Sequence, residues 1–299
     1  MAVGDPITAA RYNIIQSTVS NVLGTGSGDS GYGQALQSAQ VAAAQLIEDD
    51  HMNTLRLDIR KAYLHQNNSY PTLTVVSTAN TVDDTNVLNN SYANFETLAT
   101  NINTNRNTIS GSRLDTVATA SSYQRTTTWN ATRVGNFTVT FASTNAARHF
   151  FNSGGAVQID MSVTAGTAKN NNWNVLFGTN MGILTFANLA SSRSGSGGTL
   201  SSSVAYSTLT TTFQTVYTTS SAGTYSSNNF NIQVRFTDVS SLVIEFQITL
   251  NDAAAGTIDE DVQPNLNINV NRRMANGALT DPITITAPVF GAMTGTVTA

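Results

Sequence analysis

The residues whose types and spacing come closest to a chemical motif lie in Gly24-Thr-Gly-Ser-Gly-Asp-Ser-Gly-Tyr-Gly33. A glycine-rich run can cradle phosphate through its backbone N–H groups, but that motif closes on Gly-Lys-Ser/Thr before a helix, and no lysine precedes Lys61. Gly28-Asp-Ser-Gly31 also has the surroundings of a serine nucleophile, which needs an adjacent base. Where that motif carries a protease triad, the histidine and aspartate come before the serine; here no histidine precedes Ser30. The reading that remains is a turn in which glycines such as Gly31 and Gly33 supply positive φ. No catalytic residue is assigned.

The other reactive types are dispersed. His149 sits in Arg148-His-Phe-Phe151, ahead of Gly154-Gly155, where a strand is expected to start. A metal site needs several ligands at workable spacing, and His51 and His65 are far away in sequence, so His149 reads as a packed or hydrogen-bonded side chain. Asp252, Asp259, Glu260 and Asp261 form the densest acidic group and could hold calcium through carboxylate oxygens. They lack the Asp-x-Asp-x-Asp-Gly spacing, so a solvated turn or an acidic contact to a neighbouring subunit is the expectation, and neither a metal nor a cofactor is assigned. Trp129, Trp173, Tyr206, Tyr217 and Tyr225 could stack on sugar rings, although aromatics on strands more commonly serve core or interface.

The elements that must position these residues fall into two styles. With 299 residues the chain has room for two domains, or for one domain and an attachment module. Charged residues make up 11%, far below the usual quarter. Ser, Thr and Asn together fill roughly a third. Disorder pairs low hydrophobicity with high net charge, whereas here the net charge is −4 and 40% of residues are hydrophobic, which predicts a folded, β-rich body. A neutral hydroxyl-and-amide surface repels its own copies weakly, so coverage by partners or by further copies is expected. With no cysteine, neither disulfides nor thiolate metal sites are available. The first residues show no basic region followed by an apolar run, so no signal peptide is expected, and no run approaches the ~20 apolar residues that span a bilayer. Fourteen Lys+Arg against 18 Asp+Glu, with no basic cluster beyond Arg272-Arg273, argues against nucleic acid as a partner.

The first half reads as short helices. Thr8 or Asp5 can cap a helix whose stripe is Tyr12, Ile15, Val19 and Val22, stopped by Gly24 and Gly26. Some forty residues later, Ile47-Glu-Asp-Asp-His-Met-Asn53 lines up with Ile7-Thr-Ala-Ala-Arg-Tyr-Asn13, and Met52, Leu55, Ile59 and Ala62 repeat the stripe. The pair reads as like helices, each too short to stand alone, that pack together. A third helix is expected from about Asp84 to Arg106. The second half alternates. Leu266, Ile268 and Val270 point one way between Asn265, Asn267, Asn269 and Asn271, so this stretch is half buried and half wet. Similar alternation marks Phe137–Phe141, Val157–Val163, Ile183–Phe186, Val204–Tyr206, Phe213–Tyr217, Ile232–Phe236, Leu242–Leu250 and Ile283–Thr286. Residues 191–203 read as a long exposed loop. The expected fold is α+β: a helical docking region over 1–110, a linker over 111–130, and an antiparallel β-sandwich or jelly-roll-like domain over 131–299.

The opening Pro6-Ile-Thr-Ala-Ala-Arg-Tyr-Asn13, Val22 to Gln34 and Asn53-Thr-Leu-Arg-Leu-Asp-Ile59 resemble virion structural proteins of tailed phages, with parallels in contractile-tailed phages of cyanobacteria. Ala147 to Gly155, Asn172-Trp-Asn174, Asn180-Met-Gly182 and Asp259-Glu-Asp-Val262 are similar to the same proteins. The resemblance implies a non-enzymatic part of the tail, baseplate, neck or fibres. Such a part would be assembled in the host cytoplasm and held in the virion by copies of itself and by other virion proteins. Two other functions compete with it: a fibre tip that binds a host-surface glycan or receptor, and a decoration protein on the capsid.

Overall fold

The computed structural model describes residues 8–77, 91–253 and 261–297. The fold is α+β, with helices first and antiparallel sheets after them. It divides into two compact units. The first takes the chain up to Asp115 together with Arg148–Gly154 and Met274–Ile285; the second takes Thr116–Ala147, Gly155–Arg273 and the chain from Thr286. This differs from the linear division expected at 110 and 130, because two later segments return to the helical unit.

In the first unit, α1 (Ala9–Leu23) is capped by the Thr8 side chain, which accepts from the Arg11 N–H, and it ends at Gly24. Helix α2 (Asp49–Asn67) starts in a capping box, with the Glu48 N–H donating to His51 Nδ1 at 3.0 Å, and stops at Asn68 in the left-handed region. Helix α3 (Tyr92–Thr104) is capped by Ser91; the part expected from Asp84 to Asn90 lies outside the described residues. The three helices carry one stripe at a constant interval of 40 residues: Tyr12, Met52, Tyr92; Ile15, Leu55, Phe95; Val19, Ile59, Ala99; Val22, Ala62, Ile102. All twelve side chains are buried in a single core. Tyr12 Oη donates to the His51 carbonyl at 3.1 Å, and Tyr92 Oη to Met52 Sδ at 3.2 Å.

The repeat extends past the helices. Asn13 clamps the backbone of Val41, donating to its carbonyl and accepting from its N–H, both at 2.9 Å. Asn53 does the same to Val76, at 2.8 and 2.9 Å. In each case the amide acts as a one-residue strand edge for an extended strap, and the clamped valine is buried. The third unit has Ala93 at this position and so carries no such side chain. The three stripes bury one another within this unit.

Residues 283–286 were expected as a strand but have irregular backbone. Pro282 and Pro288, which lack an N–H, flank them. Ile283 is instead buried in the helical core, and the Gln34 amide pairs with both backbone groups of Thr284, at 2.9 and 3.0 Å.

The second unit holds two antiparallel sheets. Strands β1 (Leu114–Arg125), β3 (Ala156–Ser162), β4 (Leu184–Phe186), β5 (Ser192–Arg193) and β10 (Leu266–Ala275) make one, in the order β1-β10-β3-β4-β5. The other runs β11-β2-β9-β8-β7-β6. It comprises β2 (Thr132–Thr140), β6 (Thr199–Leu200), β7 (Gln214–Ser220), β8 (Asn229–Phe236), β9 (Val243–Asn251) and β11 (Val289–Phe290), and β12 (Thr294–Val297) also pairs with β2. Strict alternation makes β8 and β9 the spine: Ile232, Val234, Ile244, Phe246 and Ile248 are buried, while Arg235 and Glu245, opposite each other in register, form an ion pair on the other face. Phe246 stacks on its cross-strand partner Phe137 (centroids 4.8 Å apart) and meets Phe186 of the other sheet edge-on at 5.4 Å. On β10 Leu266, Ile268 and Val270 are buried, and the amides of Asn269 and Asn271 each donate to one oxygen of Asp160 at 2.9 Å.

Several sequence expectations shift. Residues 111–130 are no linker, since β1 occupies Leu114–Arg125 without a clear apolar alternation to announce it. His149 lies not at a strand start but in α4 (Thr144–Asn152), which the Ser143 hydroxyl begins by accepting from the Ala146 N–H at 3.0 Å. Residues 204–206 form no strand, and the strand expected over 213–217 runs from Gln214 to Ser220. The 191–203 tract holds the short strands β5 and β6, with Ser191 buried. Helix α5 (Ala168–Asn174) and the π-helical Val175–Met181 that continues it were unforeseen; Thr167 caps the start, Trp173 packs on Phe177, and Phe177 meets Phe230.

Candidate functional site

The glycine loop is held by side chains from far along the chain. At its far edge the N–H groups of Tyr32, Gly33 and the following Gln34 are turned to the end of α1, donating to the carbonyls of Val22, Gly24 and Leu23 at 2.8–2.9 Å. They satisfy acceptors that a helix C-terminus otherwise leaves open. The loop carbonyls face cations and amides instead. Arg148 donates to the Ser30 carbonyl and, at 2.7 Å, to that of Thr25; Asn152 donates to that of Gly28 at 3.3 Å. A phosphate cradle needs the opposite polarity, with N–H groups pointing at the ligand. Arg106 completes the grip with an ion pair to Asp29 at 2.6 Å, and that hydrogen bond foremost holds the Asp29 carboxyl below the usual carboxylate range.

The same geometry decides the serine. Ser30 is 4% exposed. His149 Nε2 lies 3.1 Å from the Thr25 carbonyl and 3.4 Å from Arg148 Nη2, so this nitrogen is engaged at the loop. Nδ1 is turned to Gly33, where a Cβ would come within 2.3 Å of it. Burial foremost, reinforced by the charge of Arg148, holds the His149 ring below its ordinary pKa. The ring is thus a neutral wedge under the loop. Gly31 and Gly33 have φ of 104° and 69°, as expected of the turn, and a Cβ on Gly31 would lie 2.1 Å from the Thr25 oxygen. The outer side of the loop borders an open groove of about 570 Å³ whose polar side chains, Ser17, Ser20, Asn21 and Gln40 among them, are neutral.

The acidic group separates. Asp252 makes an ion pair with Lys169 at 2.9 Å, both side chains fully buried, so this carboxylate answers a lysine and not a free cation. Asp261 is exposed, while Asp259 and Glu260 lie outside the described residues. Among the described residues no group of three or more His, Asp or Glu side chains is gathered as metal ligands. The aromatics offered as a sugar platform divide as well. Trp129 (3% exposed), Trp173 (0%) and Tyr217 (0%) are interior, with the two indoles 5.3 Å apart, while Tyr206 and Tyr225 are half-buried. His65 is buried against Tyr32, its Nε2 2.9 Å from the Ser153 carbonyl, and burial pushes its pKa down to about 4.

Sequence reasoning missed the clamp of Arg106, Arg148 and Asn152. No local pattern announces it, because Arg148 stands 118 positions from Ser30. The buried Lys169–Asp252 pair was equally silent, with its members 83 positions apart. Comparison with protein-family models, curated proteins and solved structures finds no match to this chain. Among the described residues, no helix is long and apolar enough to cross a membrane.

Proposed function

We propose that this protein is a non-enzymatic structural component of a phage virion, in the tail, baseplate, neck or fibres, that works by self-association and by docking to other virion proteins. The observation that carries the reading is the glycine loop. The residues best suited to chemistry, Ser30 and His149, are engaged in fixing a turn: one through its carbonyl, the other through a ring nitrogen set against the Thr25 carbonyl. The outer faces add to it. The strand surfaces carry amides and hydroxyls arranged in cross-strand pairs, such as Asn269 and Asn271 on Asp160, and Gln124 on Asn267 at 3.1 Å, which suits a part read by contact. The motifs resembling virion proteins support a virion component without favouring one position in the particle.

The test is genetic and biochemical together. A phage unable to make the protein should yield particles lacking a defined substructure, and supplying the Ser30→Ala variant should restore infective particles with the protein at wild-type copy number. Complete, infective particles without the protein would refute the reading, as would Ser30→Ala particles that assemble fully yet do not infect.

A further inference from the structure

One end of the sandwich has an arrangement that a purely structural core would avoid. A cavity of about 30 Å³ opens between the two sheets, walled by Ile248, Leu250, Leu266 and Ile268, with Arg125 and Arg133 beside them. Arg133 is not on the wet face of its strand. On β2 it shares the row of Gly135, Phe137 and Val139, and the last two are buried. Its register partner is the buried Leu250, and that of Gly135 is the buried Ile248. Gly135 and Gly295 also face each other across β2 and β12, with the Tyr123 ring 3.0 Å from where a Cβ of Gly295 would stand, so the backbone comes close to the cavity wall here.

The donors there are out of balance. Nε and Nη1 of Arg133 and Nε of Arg125 are shielded from solvent and meet no acceptor among the described residues. Arg125 uses Nη2 on the Thr128 carbonyl at 3.0 Å. An arginine that merely lays its stem along apolar surface keeps its charged head in water. Here burial foremost, and then the neighbouring charge of Arg125, push the Arg133 pKa down. Shielded donors of one sign, on two side chains that repel each other, define a site for the opposite charge.

We propose that the Arg125–Arg133 cleft binds a carboxylate carried on a short aliphatic stem. The planar guanidinium fork matches a carboxylate in bidentate fashion. The cavity has room for on the order of one or two water-sized groups, which suits a carboxylate head and not a tetrahedral, strongly hydrated phosphate. The aliphatic walls select a stem in place of a second polar end. A free small acid and the acidic side chain of another polypeptide share this chemistry.

The full-length protein with ¹⁵N-labelled arginine is titrated with sodium acetate at constant ionic strength, and separately with acetamide and with phosphate. Acetate should shift the Arg133 Nε–H resonance saturably, while acetamide and phosphate leave it in place. Arg133→Gln should weaken acetate binding at least about 10-fold, and Arg133→Lys, which keeps the charge and loses the fork, by nearly as much. N-acetyl-glutamate methylamide identifies the source: tighter binding than acetate points to a side chain of another polypeptide, equal or weaker binding to a free acid. No saturable shift with acetate, or an equal shift with acetamide, would overturn the proposal without reference to any variant.

Discussion

At Gly31 a single methyl group would meet the Thr25 carbonyl at 2.1 Å, in a backbone conformation that L-residues rarely adopt. Gly31→Ala should therefore cost at least the ~1–3 kcal/mol of a strained backbone position, whereas Ser30→Ala, whose neighbour-held group is its carbonyl, should cost under about 1 kcal/mol. Urea unfolding of the two variants checks the ranking, and a costlier serine change would mean that the hydroxyl has a role the loop geometry does not give it. His65 sets a pH dependence. Its pKa is about 4 in the folded protein against an ordinary 6.5, so the unfolded chain takes up a proton that the folded chain refuses. The contribution is fully present above pH 6.5, is lost as pH falls from 6.5 toward 4, and changes no further below that. Its full size is about 3 kcal/mol. His65→Gln, which keeps a donor for the Ser153 carbonyl, should flatten stability across that window; an unchanged pH profile would contradict the burial argument. The positive φ of the loop glycines was legible in the sequence because glycine is the residue that conformation favours. The arginines that grip the loop were not, because nothing near them in sequence records a contact made 118 positions away.

Among the elements, periodicity carried what could be known in advance. The stripes Tyr12–Val22 and Met52–Ala62 and the alternation from Ile244 to Leu250 appear in the structure as buried faces because each reports a single geometric constraint, 3.6 residues per turn or two per strand repeat; Leu242, where that strand was expected to begin, precedes β9 and is half-buried. Phe246 lies at the centre of the sandwich, between Phe137 and Phe186. Phe246→Ala should cost about 3–5 kcal/mol in chemical denaturation, and a loss below ~1 kcal/mol would place the core elsewhere. Elements without periodic stripes stayed hidden. Strand β1 is a run of Thr, Ala and Ser with few large apolar side chains, and α5 is rich in asparagine, a weak helix former held here by its Thr167 cap and by Trp173. The 40-residue interval of α3 was missed because its strap position carries Ala93 where α1 and α2 carry asparagine, so only the stripe, and not the clamp, was repeated.

For the whole molecule, the chain path matters more than the linear order of helices and strands. Ala275, the last residue of β10, and Ile283, beyond it, belong to the core of the helical unit although they come late in the sequence. A fragment beginning at residue 111 would leave those side chains and the 148–154 segment without the helices they pack on, so it should aggregate or bind hydrophobic dyes. A soluble, monomeric fragment with native β-sheet spectra would show that the sandwich tolerates their loss. A chain with only 11% charged residues suits the proposed role, in which contact with neighbours is the work. The most direct measurement of the proposal is a reconstruction of the virion to which we assign the chain. Our account predicts density for the three-helix unit and the two-sheet unit at one fixed place in the tail, baseplate, neck or fibres, repeated by the local symmetry and in contact with other virion proteins. Mature particles with no density for the chain, and none of its peptides in their protein content, would contradict it.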